Sequence, residues 1–430
     1  MSRKRIAVLG GGISGVYASH LLQADFDVTL FETESRLGGH AHSIDLEPGV
    51  RADLGFMVFN ERSYPLLMKF LIELGLEKKI QFSEMSFSIF NESEGLSLCL
   101  NRGLGLLLHE RRNLLRPSFY RLFTELFRLR KKARADLEKA MFPKQTLKQY
   151  LSSFDQKFVH ELFVPIATSV WSVAPDQILD FPAETVMRFL SNHGYLHGHP
   201  GHQWRTLTGS SQIYLNAFQE RFRGLIRCST PIESVERTSN GIRVNGEIFD
   251  GSVCALPANR VLDVVKGPTD RERRLFSSWR YQTTDLTLHT DAKALGSKAF
   301  VRPELRSSWN VLRDSRGHSV SYYLNHVQSL RASRDYFVTL GSPARIDPAQ
   351  VRYGTRFAHP VFDFKSTETQ QELAQLGMQD GIAYCGSYFG YGFHEDAMGA
   401  AGMAARACSL HFSGRNLGFG AGSLGSAPAT

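Results

Sequence analysis

Three glycines in the run RIAVLGGGISGVYASHLLQ constrain this chain more than any other feature of it. The apolar stretch from Arg5 to Leu9 predicts a buried strand, and the glycines then turn the chain into an amphipathic helix. Gly10, Gly12 and Gly15 fill a G-x-G-x-x-G spacing in which each has its own duty. The first permits a tight turn, the second lets backbone approach a pyrophosphate, and the third lets the helix press on the strand. Ile13 and Ser14 open the helix, whose free N–H groups and positive dipole end suit phosphate oxygens. A second strand, DVTLFE, ends in Glu32, about twenty residues beyond Gly10, where a carboxylate binds ribose hydroxyls. An acid there argues against a 2′-phosphate and so against NADP. NAD and FAD both remain.

The stretches ESRLGGHAHSI and RADLGFMVFN come next. The pair Gly38–Gly39 lets backbone run close to a ligand where a Cβ would collide. Arg36 can neutralise a pyrophosphate. Here the chain resembles the flavin-dependent amine oxidase superfamily, which includes protoporphyrinogen oxidases and phytoene desaturases. The resemblance implies FAD, held without a covalent link, lined by Glu32, Arg36, Gly38, Gly39, His40, Gly55 and Phe56. His40 stands where many relatives carry arginine. The segment WRTLTGSSQIYLNAF resembles the return to the FAD domain and implies a contact from Trp204. In relatives the strand of Ile232 and Val235 lies by the adenine. The stretch GIAYCGSYFGYGFHEDAMGAAGMAARA resembles the final strand, loop and helix, which close on the flavin. That implies contacts from Gly386, Phe393, His394, Glu395 and Asp396. Asp396 reads equally well as the cap of a helix running through Arg406.

The fold class implied is mixed α/β, with a Rossmann-type FAD-binding domain of the amine-oxidase kind that is discontinuous in sequence. Its parts are expected at 1–81, 204–289 and 371–413. An inserted substrate domain of mixed sheet and helices takes 82–203, mostly helical, and 290–370. The Gly/Ser/Ala-rich residues 414–430 read as a disordered tail. A chain of 430 residues is long enough for two packed domains.

As a set, GYGFHED, the WRT return, SYYLNHVQSL and FAHPVFDF resemble one bacterial subgroup of FAD-dependent oxidoreductases associated with cyclopropane-fatty-acid synthases. This implies an apolar, fatty-acyl or phospholipid-acyl substrate and a cyclopropane-synthase-like methyltransferase as partner. The expected reaction is hydride removal to FAD. Redox-neutral double-bond isomerisation, an accessory role beside a lipid methyltransferase and amine oxidation are the alternatives. His394 and Tyr391 are the catalytic candidates, since an imidazole beside the flavin could move a proton. Trp309, Tyr322, Tyr323 and Asn325 are candidates for the opposite, substrate-facing wall.

The formal charge of +8 favours an anionic partner. One helical run is rich in arginine and lysine. Its apolar positions Leu115, Phe119, Leu122, Phe123, Leu126 and Leu129 predict packing on the protein's own core. A second reading lays the same helix on an anionic membrane surface. Nothing resembles a zinc or RNA-recognition signature, so nucleic acid is not expected. His193, His197, His199 and His202 are separated by Gly and Pro, which suits a loop near the cofactor or a hinge better than a metal site. The five cysteines form no CxxC pair, as in a reducing compartment. The basic-then-apolar start is broken by glycine, unlike a signal peptide. A cytoplasmic protein, peripheral at the inner face of the membrane, is expected.

Overall fold

The computed structural model describes residues 3–100, 111–139, 142–196, 203–315, 317–341 and 345–415. His197, His199, His202 and nearly all of the expected tail lie outside them. Arg5–Leu9 is a strand buried along all but its first residue, with Asp27–Phe31 and Gly251–Cys254 parallel to it on either side. Leu225–Arg227 adds to one edge, and Ile382–Tyr384 then Met378–Gln379 add to the other. Three distant parts of the chain therefore make one six-stranded sheet. Its inner strands are near-continuous apolar runs because both faces are covered.

Helix α1 (Ile13–Leu22) follows the glycine turn and is buried along most of its length. α2 (Pro65–Glu73) follows, with no cap from its own preceding side chain. α3 (Pro117–Leu137) buries Phe119, Leu122, Leu129 and Ala133, leaves Phe123 and Leu126 half-buried, and packs on α4 (Ala183–Asn192). Leu115, expected in the apolar stripe, precedes the helix in a short 3₁₀ turn and is 85% exposed.

A second, seven-stranded sheet orders Val351–Val361, Arg280–His289, Phe337–Leu340, Gly317–Tyr323, Trp309–Asp314, Phe87–Asn91 and Leu96–Leu100. Here the sequence reading needs correction. Arg280–His289, grouped with the nucleotide-binding segment, pairs instead with Val351–Val361 along its whole length. Its first six residues are exposed or half-buried, and only its last four are fully buried. That pattern suits an antiparallel sheet with one wetted face rather than a doubly covered one.

The last helix, α5 (His394–Ser413), packs on α1 and buries Ala397, Ala400, Ala401, Ala404 and Ala405. It runs well past Arg406, because Cys408 and Ser409 continue the buried face until Gly414 turns left-handed at φ 65°. Asp396 is not its cap. Phe393 occupies the cap position, and Asp396 sits one turn inside with its carboxylate accepting from the Phe393 N–H at 3.0 Å.

A buried polar knot ties the segments together. The Asp53 carboxylate accepts from Ser43 Oγ at 2.6 Å and from the Ser211 N–H at 2.9 Å. The Gln328 amide bonds both the N–H and the carbonyl of Asp53, each at 2.8 Å. Residues separated by more than a hundred positions thus meet at one carboxylate, whose desolvation raises its pKa to about 6.

Candidate active site

Between the two sheets runs a cleft of about 990 Å³, at the upper end of the range for small-molecule and cofactor sites. One end is the glycine turn. Gly11 N–H donates to Glu32 Oε2 at 2.7 Å, and Gly38 N–H donates to the Gly11 carbonyl at 2.8 Å. The two glycine-rich stretches therefore lie backbone against backbone, and a Cβ on Gly39 would come within 3.3 Å of Gly12 Cα. Gly12 itself is open: a Cβ there would meet nothing within 4 Å. That space, at the start of α1, is the cradle a pyrophosphate needs. Arg36 lies beside it, its guanidinium weakly bonded to loop carbonyls of Leu37, Gly39 and Ala41 at 3.3–3.4 Å.

The other end is aromatic. Phe189 stacks on Phe393 with ring centroids 4.8 Å apart and lies 4.6 Å from Trp171. His193 stacks on Phe189 at 4.0 Å, which brings one of the four sequence histidines to the cleft wall. His394 stacks on Phe56 at 3.7 Å, and its Nε2 lies 3.4 Å from Tyr214 Oη. Burial holds the His394 imidazole neutral, near a pKa of about 3. Burial does the same to His42, at about 4, and to His359, at about 3. His40 is also lowered to about 4 by the protein around it, but its ring is exposed to the cleft, where water supports the charged form. Several buried polar atoms of cleft-lining residues have no partner among the described residues: Tyr388 Oη, the Trp171 and Trp309 indole nitrogens, and Nδ1 of His42 and His359. Buried donors and acceptors are normally satisfied, so these atoms are available to water or to the polar atoms of a bound molecule.

Most sequence candidates line this cleft: Gly10, Gly12, Ile13, Ser14, Glu32, Arg36, Gly38, Gly39, His40, Gly55, Phe56, Trp204, Ile232, Gly386, Tyr391, Phe393, His394, Trp309 and Tyr322. Six do not. Gly15 is pressed on the Gly10 carbonyl, where a Cβ would overlap it, so its role is in the scaffold. Val235 is buried in a separate three-stranded sheet opposite Val244, three residues past the cleft-lining Ile232. Tyr323 points away and donates to Asp335 Oδ1 at 2.6 Å, because neighbours along a strand face opposite sides and Tyr322 takes the cleft side. Asn325 is used on the Arg334 carbonyl and the Tyr336 N–H.

Glu395 and Asp396 are the more instructive departures. Glu395 accepts from Leu66 N–H at 2.7 Å and Leu67 N–H at 3.2 Å, the free donors at the start of α2. It caps a helix more than three hundred residues earlier. Asp396 turns back onto its own loop, with its carboxylate filling the place where a Gly390 Cβ would stand. Burial raises both acids to about 7. Replacing Glu395 by alanine is expected to cost about 1 kcal/mol of stability while leaving flavin content unchanged. A thermal melt read beside the visible absorption of the same sample checks this, and a colourless Glu395→Ala protein would restore Glu395 to the cofactor site.

Sequence reasoning missed Trp171, Phe189, Phe357, His359 and Tyr281. Phe189 and Trp171 have the signature of ordinary helix core, and only their position near helix ends hinted at a wall. Among the described residues no group of three or more His, Cys, Asp or Glu is placed to hold a metal ion.

Comparison with known proteins agrees with this geometry. The family model for flavin containing amine oxidoreductases matches residues 13–325. Protoporphyrinogen oxidase 2 of Arabidopsis thaliana is 37% identical over 83 residues, 19% of this chain and 16% of that protein. Tryptophan 2-monooxygenase of Allorhizobium ampelinum is 39% identical over 84 residues, 19% of this chain and 12% of its own length. The chain thus matches under a fifth of these relatives. Cyclohexylamine oxidase of Brevibacterium oxydans superposes with a TM-score of 0.69 at 15% identity, over 95% of this chain and 100% of that one. A conjugated-linoleic-acid-producing fatty acid isomerase of P. acnes superposes at 0.66 and 14% identity, over 95% and 99%. These structural likenesses show the fold. With the family model spanning most of its length and the glycine cradle in place, the chain belongs to the flavin containing amine oxidoreductases, an FAD-dependent oxidoreductase family.

Proposed function

We propose that this oxidoreductase removes hydride from an elongated apolar substrate, with a fatty-acyl chain as the class that fits. One observation carries the reading. The only carboxylates lining the described cleft, Glu32 and Glu34, stand at its ribose end, while the far wall is built from aromatic and aliphatic side chains. An ammonium substrate finds no anion there, whereas a methylene chain finds stacked rings.

The cradle at Gly12, the start of α1, Glu32, Arg36 and Gly38–Gly39 are the residues that would hold FAD, which when bound supplies the hydride acceptor. The chain's own residues bind, orient and exclude water. Phe189, Phe393 and Trp171 form a rigid slot that limits how a flexible chain can lie. His394, neutral and stacked on Phe56, fixes the first turn of α5 and has Tyr214 as its polar neighbour.

The test is an anaerobic visible spectrum of the flavin-loaded protein before and after adding saturated and unsaturated fatty acids, then primary amines. Bleaching of the band near about 450 nm by an acyl chain alone supports the proposal. Bleaching by amines alone overturns it, and product without lasting bleaching turns the reading to isomerisation, the reaction for which the P. acnes protein of the same fold is named. A Phe189→Ala variant is expected to keep its flavin and lose about tenfold in kcat/KM, from the missing ring contacts. Unaltered steady-state kinetics would remove Phe189 from the substrate wall.

A further inference from the structure

We propose that the outward face of α3 docks on an anionic lipid bilayer. Tyr120 and Phe127 stand on its solvent side, 53% and 65% exposed, seven residues apart and so one above the other. Lys131 and Arg134 continue the same stripe, both exposed and both without a carboxylate partner among the described residues. Just before the helix, Leu115 is 85% exposed. An apolar residue this open, repeated along one face and bordered by cations, is unusual for a surface that meets only water.

Both acids within the helix are drawn inward. Asp136 is buried and held between Lys132 and Lys139, each at 2.5 Å. Glu125 is largely covered, accepting from Asp155 N–H at 3.0 Å and pairing with Arg128 at 3.3 Å. Glu138, at the C-terminal cap, is exposed. The face is thus cationic and aromatic, the complement of acidic headgroups over an acyl layer. No helix among the described residues is long and apolar enough to cross a membrane, so the contact is one of surface. α3 packs directly on α4, whose Phe189 lines the cleft, so docking leaves the thickness of one helix, about 10 Å, between the bilayer and that wall.

Docking stands apart from the substrate reading, since vesicle binding reports one and flavin bleaching the other. The experiment is cosedimentation of the full-length, flavin-loaded protein with phosphatidylcholine vesicles, with and without phosphatidylglycerol. Binding is expected only with the anionic lipid. Lys131→Glu combined with Arg134→Glu should weaken it on the order of a hundredfold, and Phe127→Ser by about tenfold. Flavin absorbance and melting should stay at wild-type values, because these side chains are exposed. Absent binding, or variants that bind like wild type, would overturn the proposal. So would the same variants losing affinity for an oligonucleotide rather than for vesicles, or Phe127→Ser abolishing self-association, which would assign the face to a second copy of the chain.

Discussion

Gly12→Val is expected to yield a folded protein that purifies colourless, while Gly15→Ala is expected to fold poorly with or without flavin. The two glycines belong to one motif, yet the structure separates their duties. Gly12 has φ −68° and ψ 177°, a conformation any L-residue adopts, and a Cβ there meets no protein atom within 4 Å. The cost of a side chain at Gly12 therefore falls on the ligand. Valine should weaken FAD binding on the order of a hundredfold, about 3 kcal/mol of lost affinity. At Gly15 the added carbon overlaps the Gly10 carbonyl, part of the backbone that also carries the first strand. Relief would require α1 to lift from the sheet, an overpacking cost of about 3 kcal/mol. Flavin occupancy after gel filtration, set beside denaturant midpoints of both variants without flavin, checks the pair. A yellow, stoichiometric Gly12→Val protein would show that no phosphate sits at the turn.

Stability is expected to level off near pH 7 and to fall steeply on the acid side. His42, His289, His318, His359 and His394 are held neutral by burial, with pKa values of about 3 to 4 in the folded chain against 6.5 when free. Their folded pKa is depressed, so the unfolded chain takes up protons first and stability is lost as pH falls from 6.5 toward 4. Asp53, Glu395 and Asp396 act in the opposite sense. Their folded pKa is raised to between about 6 and 7, so they favour the native state at low pH and lose that contribution as pH rises through neutrality. Around pH 5 the balance is about two protons more on the unfolded chain, or about 3 kcal/mol per pH unit. From about pH 7 to 8 the two sets nearly cancel, and stability is level. Urea midpoints from pH 4.5 to 8 check the shape. A flat profile would mean that the histidines are hydrated and the cleft is more open than its walls suggest.

The glycine turn, its strand and helix, and Glu32 were legible in the sequence because each depends on neighbours a few residues away. Backbone freedom and apolar periodicity are local, and they placed the cofactor end of the cleft without knowledge of the rest. Local pattern also narrowed the choice elsewhere, to pairs such as Tyr322 and Tyr323, Ile232 and Val235, or His394 and Glu395.

Within those pairs only the tertiary structure decided. Alternation along a strand says that Tyr322 and Tyr323 point apart, but the sheet's neighbours determine which side is the cleft. Glu395 looked like a cofactor ligand until α2 supplied two backbone donors from the far end of the chain. Phe189, Trp171 and His359 come to the cleft from three separate elements, and no local signal distinguishes them from core residues. The sequence by itself determined that a dinucleotide cradle forms and where its phosphates belong. The packing of distant segments determined which side chains build the substrate wall, because a side chain's direction depends on partners that its own neighbourhood does not contain.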